Sequence, residues 1–396
     1  MMDKVLNSLA AIARLLSKLG FNLLLFPLRI FKIRQNRIVL LNSLSGNYSC
    51  NPKYIAEYLL EHYPGKYEII YPLRKSNNER LRELNDKGLK TVFVGTALYY
   101  RYAMTAKIFI TNSGGISYIP FRKKQIVINT WHGGGAYKMA GIDAEKSFFF
   151  HLDCKMTANR TTHFIASSEK FMEVISKSLL IDEKKFLKIG LPRNDIFFTD
   201  YSDTINNLKK EYHLKDDVKI ALYAPTYRTP DAGTFFQHQI GPYEINYSRV
   251  IDALAKRFGG EWVLAVRLHS SIASSITQFP QNVINMSNHA DSQEVLCTAD
   301  VLINDYSSIM WDYVQTRKPC FVFATDYQKY LDTVGLYTYA DSWPFPFAQN
   351  NDELIDNIIN FDDNAYANAV EEYFSWMHNY ELGQACRKLC EQIGSY

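Results

Sequence analysis

The sequence predicts an α/β protein made of two doubly wound domains that face a cleft. The chain has 396 residues, which is enough for about two to three domains. Short β-branched or aromatic runs alternate with amphipathic stretches, and after a polar break near residues 198–217 the alternation starts again. Ligands bind such sheets at the carboxyl ends of the strands, so the loops that follow strands are the candidate site regions.

Six runs in the first half predict strands, and helical patterns lie between several of them. The predicted strands are Arg37–Leu41, Tyr67–Tyr71, Thr91–Val94, Lys107–Thr111, Gln125–Asn129 and His163–Ala166. The predicted helices are Pro52–Tyr63, Asn77–Lys87, Ala97–Ala106 and Ser168–Leu180. This order is typical of a mostly parallel sheet with helices on both faces.

The second half repeats the pattern. Its predicted strands are Val218–Tyr223, Trp262–Leu268, Asn282–Asn285, Asp300–Ile303 and Pro319–Phe323. Its helical patterns are Thr204–Tyr212, Tyr247–Phe258, Ser292–Ala299, Ser307–Gln315 and the stretch 352–393. We therefore divide the chain into an N-terminal segment (1–36), a first domain (37–198), a second domain (199–380) and a C-terminal helix (381–396).

The first 37 residues carry seven basic side chains and one acid, Asp3, among many apolar residues. Their longest charge-free run, Leu19–Leu28, is ten residues, whereas a spanning helix needs about 20 apolar residues. Arg14 and Lys18 interrupt any signal-peptide core. We expect a basic amphipathic helix that lies on an anionic membrane, at the cytoplasmic face of the cell membrane. The alternative is a helix packed on the protein's own body or on a partner chain.

Composition excludes several classes of protein. The 47% hydrophobic and 21% charged residues rule out wholesale disorder, and a net charge of +3 is too near balance to indicate nucleic-acid binding. The chain has no DxD, HExxH or GxSxG motif, and no cluster with metal-ligand spacing. We expect no tightly bound metal or other cofactor, and leave open a loosely held Mg²⁺ and assembly into a homo-oligomer.

The first candidate motif is the loop after Gln125–Asn129, in which His132 precedes three glycines. Consecutive glycines permit positive φ and close backbone approach, and their N–H groups suit an anion. His132 could act as a base near neutral pH, and Lys138 could supply positive charge. The alternative is a glycine turn with a structural histidine.

The second candidate follows Asp300–Ile303, where Asp305, Ser307 and Ser308 open a helix. The two serine hydroxyls could donate to phosphate oxygens at the helix N-terminus. Asp312 lies one turn further on the same face, from where a carboxylate could reach a ribose. The alternative is plain N-capping by Asp305.

Three further motifs are weak when taken alone. Arg228 follows Val218–Tyr223 and suits phosphate recognition. His269 comes after the strand that begins at Trp262 and is a second candidate for acid–base chemistry or phosphate contact. Arg193 lies in a Gly-Leu-Pro-Arg-Asn-Asp stretch at the domain junction. This stretch primarily predicts a turn, and Arg193 is a secondary candidate for a basic contact in the cleft.

Taken together and in this order, the motifs resemble the CDP-glycerol glycerophosphotransferase family of teichoic acid and capsule synthesis. The matching stretches are WHGGGAYK, GLPRND, YAPTYR, RLHS, NDYSSIMWDY and KPCFVFATDYQKY, within a resemblance that runs from about residue 37 to 393. It implies a GT-B architecture, with the donor held mostly by the second domain, and peripheral attachment to the cytoplasmic membrane face. Departures occur at Ser270, where the family often has proline, and at Asn304, where threonine is common.

The resemblance also implies roles for individual residues. His132 matches the family's base, which deprotonates the acceptor hydroxyl, and His269 matches a second essential histidine near the donor phosphates. The implied donor-binding residues are Arg228, Asp305 (mainly as an organiser of its loop), Ser307, Ser308 and Asp312. We expect contacts with the acceptor or with phosphate at Gly133, Gly134, Lys138 and Arg193.

The expected activity is transfer of glycerol phosphate or ribitol phosphate from a CDP-alditol to a hydroxyl of a lipid-linked saccharide or polyol-phosphate chain, with release of CMP. Two alternatives stay open: a GT-B glycosyltransferase that uses a nucleotide sugar, and a non-catalytic membrane-bound scaffold for wall-polymer enzymes. The chain is short for the long-polymer makers of the family, which favours a primase or short-chain enzyme.

Overall fold

The computed structural model describes residues 2–74, 78–135, 137–226, 245–268 and 283–396. The chain forms two compact units. The first comprises Met1–Asp195 together with His378–Tyr396, and the second comprises Ile196–Met377. The C-terminal segment therefore returns to the first unit after the second unit is complete.

The described strands of the first unit form one parallel sheet in the order β3-β2-β1-β4-β5-β6-β7. They are β1 Arg34–Leu41, β2 Glu68–Leu73, β3 Lys90–Phe93, β4 Ala106–Thr111, β5 Ile126–Asn129, β6 His163–Ala166 and β7 Phe186–Lys188. The six strands expected here are confirmed. The seventh, β7, has three residues and is too short to show a periodic pattern.

Helices cover both faces of this sheet. They are α1 Met2–Leu25, α2 Cys50–His62, α3 Asn78–Asp86, α4 Ala97–Thr105, α5 Gly141–Ala144, α6 Phe148–Arg160 and α7 Glu169–Ser178. Along β1, Ile38 and Leu40 join the core that contains Ile55 of α2, and Val39 joins the core that contains Tyr99 of α4. Sequence patterns missed α6 because its apolar residues do not separate onto one helical face.

The second unit contains a parallel sheet in the order β10-β9-β8-β11-β12-β13. Its strands are β8 Lys219–Tyr223, β9 Trp262–Val266, β10 Val283–Asn285, β11 Val301–Asn304, β12 Cys320–Phe323 and β13 Phe347–Ala348. Its described α-helices are α8 Ser202–Glu211, α9 Tyr247–Phe258, α10 Ser292–Thr298, α11 Ile309–Tyr313, α12 Tyr327–Thr333, α13 Asn351–Ile359 and α14 Asp363–Met377. The helix expected at Ser307–Gln315 is shorter, because its last turn is the 3-10 helix Val314–Thr316.

Helix α1 packs one face on its own unit. Leu15 and Leu25 are buried, and Lys18 forms an ion pair with Asp153 of α6. The other face, with the 3-10 helix that follows α1, exposes a set of large apolar side chains: Leu16, Leu19, Phe21, Leu23, Leu24, Phe26 and Ile30. Among the described residues, no helix combines the length and apolar character needed to span a bilayer.

Candidate functional site

In the first unit, the strand order reverses between β1 and β4, the place where doubly wound sheets bind ligands. Asn42 follows β1 and Asn112 follows β4, and both are buried. The amide of Asn112 donates to the Asn42 side-chain oxygen at 2.8 Å and accepts from the Ser43 N–H at 2.9 Å. This amide pair holds the two strand ends together at the switch point.

His132 lies on the loop after β5, beside this switch point. Its Nδ1 is 2.9 Å from the backbone oxygen of Asn112. A carbonyl oxygen can only accept, so the hydrogen bond assigns the proton to Nδ1. In the neutral ring, Nε2 then carries the lone pair, and the half-buried imidazole has the tautomer that a base requires.

Burial and nearby charge keep His132 neutral. Desolvation, together with the smaller effects of the positive charges of Arg193 and Lys138, lowers the pKa of His132 to about 4, against the opposing effect of the hydrogen bond to Asn112. At neutral pH the imidazole is therefore uncharged. The same two cations give the surroundings of the ring a positive charge, which suits an anionic ligand.

The backbone before His132 adopts an unusual conformation. Trp131 has φ of +53°, in the left-handed region that a bulky residue rarely adopts. Asn129 accepts from its N–H at 2.8 Å, and Asn51 donates to its carbonyl oxygen at 2.9 Å. The glycine run permits positive φ, but Gly134 has an ordinary φ. The loop turns at Trp131 instead, because two amide side chains hold that peptide.

Gly133 and Gly134 are buried. The carbonyl of Gly134 accepts from the Ser167 hydroxyl at 2.6 Å, so this part of the loop packs against the end of β6. Lys138 is half-buried. Contact of Gly133, Gly134 and Lys138 with an acceptor or with phosphate stays a prediction.

Asn51 also connects the His132 loop to the loop that carries Arg193. Its side-chain oxygen accepts from the Arg193 N–H at 3.0 Å. The Arg193 guanidinium is buried at 6% exposure, and its Nη1 is 3.3 Å from the Cys50 sulfur. The sequence motifs contained His132 and Arg193 but not Asn51, whose signal is only a polar residue at the start of a helix.

The Gly-Leu-Pro-Arg-Asn-Asp stretch anchors the C-terminal segment. Glu381 accepts from the Leu191 N–H at 3.0 Å and from the Asn194 amide at 3.1 Å. Gly190 has φ of +84°, and a Cβ there would lie 2.7 Å from the Glu381 carboxylate. Asp195 accepts from two N–H groups at the start of α15, which spans Ala385–Gly394. The predicted turn therefore also fixes a distant part of the chain.

In the second unit, the strand order reverses between β8 and β11. Thr226 follows β8 and Asp305 follows β11. The buried carboxylate of Asp305 accepts from the Thr226 N–H at 2.8 Å, from the Thr226 hydroxyl at 2.7 Å and from the Tyr306 N–H. Asp305 thus joins the two loops at the second switch point.

Ser307 and Ser308 are half-exposed on the same loop. Ser308 is the N-cap residue of α11, but its side chain makes no hydrogen bond to the helix end. Asp312 is fully buried, and its carboxylate accepts from Gln293 of α10 at 3.1 Å. This geometry is that of a joint between α10 and α11, and the ribose contact of Asp312 stays a prediction.

Two expected site residues, Arg228 and His269, lie outside the described residues, as does Ser270. The neighbouring Arg267 is described and is half-buried, with its guanidinium donating to the backbone oxygens of Met286 and His289 at 2.9 Å each. In the part of the chain that the structure describes, no group of three or more His, Cys, Asp or Glu residues is placed to hold a metal ion.

Comparisons with known proteins place these loops in a family context. Residues 24–395 match the family model of CDP-glycerol:poly(glycerophosphate) glycerophosphotransferases. A teichoic acid poly(glycerol phosphate) polymerase of Bacillus spizizenii is 26% identical over 91% of this chain and 92% of its own length. A teichoic acid poly(ribitol-phosphate) polymerase of the same organism is 25% identical over 96% of this chain and 60% of its own length. The solved wall teichoic acid polymerase TagF has a similar fold, with a TM-score of 0.78 and 24% identity over 98% of both chains.

Proposed function

Because the chain belongs to the CDP-glycerol:poly(glycerophosphate) glycerophosphotransferase family, we propose that it transfers glycerol phosphate or ribitol phosphate from a CDP-alditol to an acceptor hydroxyl in teichoic acid or capsule synthesis. The observation that carries the proposal is the family match over residues 24–395, which includes every motif of the candidate site. Both glycerol phosphate and ribitol phosphate are included because the relatives are named as polymerases of one or the other. The family match gives no support to the two alternatives, a glycosyltransferase that uses a nucleotide sugar and a non-catalytic scaffold for wall-polymer enzymes.

In this proposal, Nε2 of His132 takes the proton of the acceptor hydroxyl while the hydroxyl oxygen attacks the β-phosphorus of the donor. A new P–O bond forms as the bond from the β-phosphorus to the bridging oxygen breaks, and that electron pair leaves with CMP. The negative donor phosphates offset the charges of Lys138 and Arg193, which raises the pKa of His132 from its low value in the free protein. Donor binding thereby makes the imidazole a stronger base.

The donor is proposed to be held at the second switch point. The half-exposed hydroxyls of Ser307 and Ser308 donate to the pyrophosphate, and Asp305 fixes the loop that presents them. Arg228 and His269 complete the phosphate contacts in this proposal. We assign no tightly bound metal, and turnover with and without EDTA measures whether Mg²⁺ contributes.

The number of units added stays open. Chain length was expected to favour a primase or short-chain enzyme. Chain length does not separate the two classes of enzyme, because a relative named as a poly(glycerol phosphate) polymerase aligns over 92% of its own length with this chain. Mass spectrometry of the product made on a defined lipid-linked acceptor separates one addition from many.

The test of the proposed function uses the purified full chain, a lipid-linked acceptor, and CDP-glycerol, CDP-ribitol or UDP-glucose as donors. We expect nucleotide release from a CDP-alditol and none from UDP-glucose. His132→Ala should lower CMP release by about 10²- to 10⁴-fold, as expected for loss of a general base, with donor binding retained. His62→Ala, at an exposed histidine of α2, is the matched control. Release of UDP alone, or near-normal turnover by His132→Ala, would contradict the proposal.

We further propose that the chain binds the cytoplasmic face of the membrane through α1 and α6. Leu23 is 77% exposed and Ile30 is 85% exposed on the outer face of the N-terminal segment, and Phe148 of α6 is 72% exposed. Exposed apolar side chains beside basic residues are typical of helices that lie in a membrane interface.

Flotation with vesicles measures this binding. The double substitution Leu23→Glu/Leu24→Glu should abolish binding to vesicles that contain phosphatidylglycerol, whereas Leu382→Glu, at another exposed leucine, should not. Binding should fall as salt rises or as anionic lipid is removed. If the double variant changes the sedimentation coefficient and leaves flotation unchanged, the apolar face is a chain–chain interface instead.

A further inference from the structure

The first unit contains a cavity of about 270 Å³ beneath α1. Its walls are mainly apolar and include Leu15 of α1, Phe149 and Phe150 of α6, and Phe164 of β6. Protein interiors rarely leave voids much larger than a water molecule, and dry apolar cavities bind apolar molecules. The volume is slightly below the range of roughly 300–1,000 Å³ typical of small-molecule sites. It therefore suits a short apolar segment of a larger ligand.

The cavity borders the loop that carries the proposed base. Trp131 lines it, and the Trp131 ring centroid is 4.5 Å from that of His132. Asn129, which holds the Trp131 N–H, also lines the cavity. A chain in this cavity thus lies one residue from the imidazole that is proposed to take the acceptor proton.

The same two helices form the cavity and the apolar surface. On α1, Leu15 faces the cavity and Leu16 is exposed, and on α6, Phe149 faces the cavity and Phe148 is exposed. Two cations, Arg14 and Lys18, and one carboxylate, Asp153, complete the lining, which leaves a net positive charge at this end of α1. The cavity therefore lies on the inner side of the two helices that carry the exposed apolar residues, and its lining carries charge suited to a lipid phosphate.

We infer that this cavity takes the phosphate-proximal apolar segment of a lipid-linked acceptor and so positions its headgroup at His132. The inference rests on the proposed function, because it assumes that His132 acts on an acceptor carried by a lipid. A nucleoside is a poor occupant, since the aromatic and aliphatic walls offer few donors and acceptors for a base and a ribose. A membrane phospholipid shares the required chemistry, and the experiment distinguishes it from the acceptor.

The kinetic test compares two acceptors with the same headgroup, one on a long isoprenoid chain and one on a short water-soluble chain, in detergent micelles. Thr157→Phe fills the cavity from α6, and Cys154→Leu fills it less. We expect Thr157→Phe to lower kcat/KM for the long-chain acceptor by about tenfold or more, with a smaller effect of Cys154→Leu, because apolar burial is lost. Turnover of the short-chain acceptor should stay the same.

The control is His62→Phe, which adds the same ring at an exposed position of α2, outside the two proposed membrane-binding helices, and should change neither acceptor's kinetics. Equal losses for both acceptors, or no loss for either, would overturn the inference, and Cys154→Leu keeps the test usable if Thr157→Phe misfolds. Failure of the wild-type chain to release CMP with either acceptor would instead remove the proposed function.

Photolabelling identifies the occupant directly. A diazirine on the first isoprene of the acceptor should label peptides from α6 and Trp131, and excess unlabelled acceptor should suppress that labelling. A phosphatidylglycerol with a diazirine on its acyl chain is the second probe. Labelling of the cavity by this phospholipid that excess acceptor does not reduce would assign the cavity to membrane lipid and overturn the inference.

Discussion

The two switch points use their polar residues in opposite ways. In the first unit, Asn129 and Asn51 hold the backbone of Trp131 just before His132, the backbone oxygen of Asn112 accepts from Nδ1, and the imidazole keeps Nε2 available. In the second unit, the carboxylate of Asp305 is itself the connector between loops, because it accepts from Thr226 and Tyr306. An ionisable side chain after a strand can therefore be the reactive group or part of the framework, and only its contacts distinguish the two roles.

Because of this contrast, mutation of a connecting residue and mutation of an available group should have different consequences. Loss of a connector leaves buried N–H groups without an acceptor, which lowers both stability and activity. Loss of an available group lowers activity and leaves the fold intact. Stability and turnover measured on the same variant separate these two outcomes.

Replacement of Asp305 by Ala should have the largest combined effect. It leaves the N–H groups of Thr226 and Tyr306 without their carboxylate, so the free energy of unfolding should fall by about 3 kcal/mol. CMP release should fall with it, because the loop that carries Ser307 loses its anchor. Chemical denaturation of the full chain and a turnover assay measure both quantities.

The control for this prediction is Asp352→Ala, at a carboxylate whose side chain is 80% exposed and pairs with Arg249 on the surface. Its effect on stability should stay within about 0.5 kcal/mol. Full stability of Asp305→Ala, combined with loss of turnover, would make Asp305 a ligand-binding group like His132 and remove the contrast.

Replacement of Asn51 by Ala should lower kcat by about 10- to 100-fold with little change in the KM for the donor. The amide holds both the Trp131 carbonyl and the Arg193 N–H, and small displacements of a reacting group have effects of this size. Asn51→Asp should retain the acceptor for Arg193 and lose the donor to Trp131, which tests the His132 side alone.

Steady-state kinetics of both variants, with Asn360→Ala as an exposed asparagine control, decide this role. As a positioning residue, Asn51 should leave the acid limb of the pH profile unchanged. A rise in KM without a fall in kcat would show that Asn51 contributes to binding and not to the position of His132.

The pH dependence tests the cations around His132. Burial, Arg193 and Lys138 lower the pKa of His132 to about 4, so kcat/KM should fall only well below pH 6.5, as protonation removes the lone pair. Lys138→Gln removes a positive charge, which eases protonation and should move the acid limb to higher pH by less than about one unit. Lys177→Gln on α7 should not move it. A shift of the limb to lower pH would contradict the assigned sign.

The fold was largely readable from the sequence, because parallel strands buried on both faces are apolar runs with turns between them. The expected strands were confirmed, and the short strands β7 and β13 were missed since two or three residues carry no period. The helix α6 was missed because it packs against α1 and its own unit without one apolar face. Its environment depends on residues more than a hundred positions away, such as Lys18, which pairs with Asp153.

The sequence predicted which residues form the candidate site, but not the contacts that they make. His132 could be singled out because a histidine before glycines follows a buried strand. The hydrogen bond that sets its tautomer comes from the backbone of Asn112, which has no side-chain signal in the sequence. The glycine run likewise suggested positive φ, whereas Trp131 adopts it because Asn51 and Asn129 hold its peptide. Such amide contacts join segments that no spacing rule connects.

The smallest expected effects come from two serines that cap helices differently. The Ser168 hydroxyl accepts from the Phe171 N–H at 3.1 Å, whereas Ser308 caps α11 without a side-chain hydrogen bond. Ser168→Ala should therefore lower the free energy of unfolding by about 1 kcal/mol and leave the donor KM unchanged. Ser308→Ala should leave stability within about 0.5 kcal/mol of wild type and raise the KM for the CDP-alditol by about three- to tenfold.

Denaturation and donor titration of both variants complete the comparison. If Ser168→Ala lowers only stability and Ser308→Ala raises only the donor KM, the serine at the start of α7 stabilises the fold and the serine at the start of α11 binds the ligand. If Ser308→Ala instead loses stability and keeps its KM, the serine is a structural cap. The available group at the second switch point would then have to be sought beyond Ser308, with Ser307 as the next residue to replace.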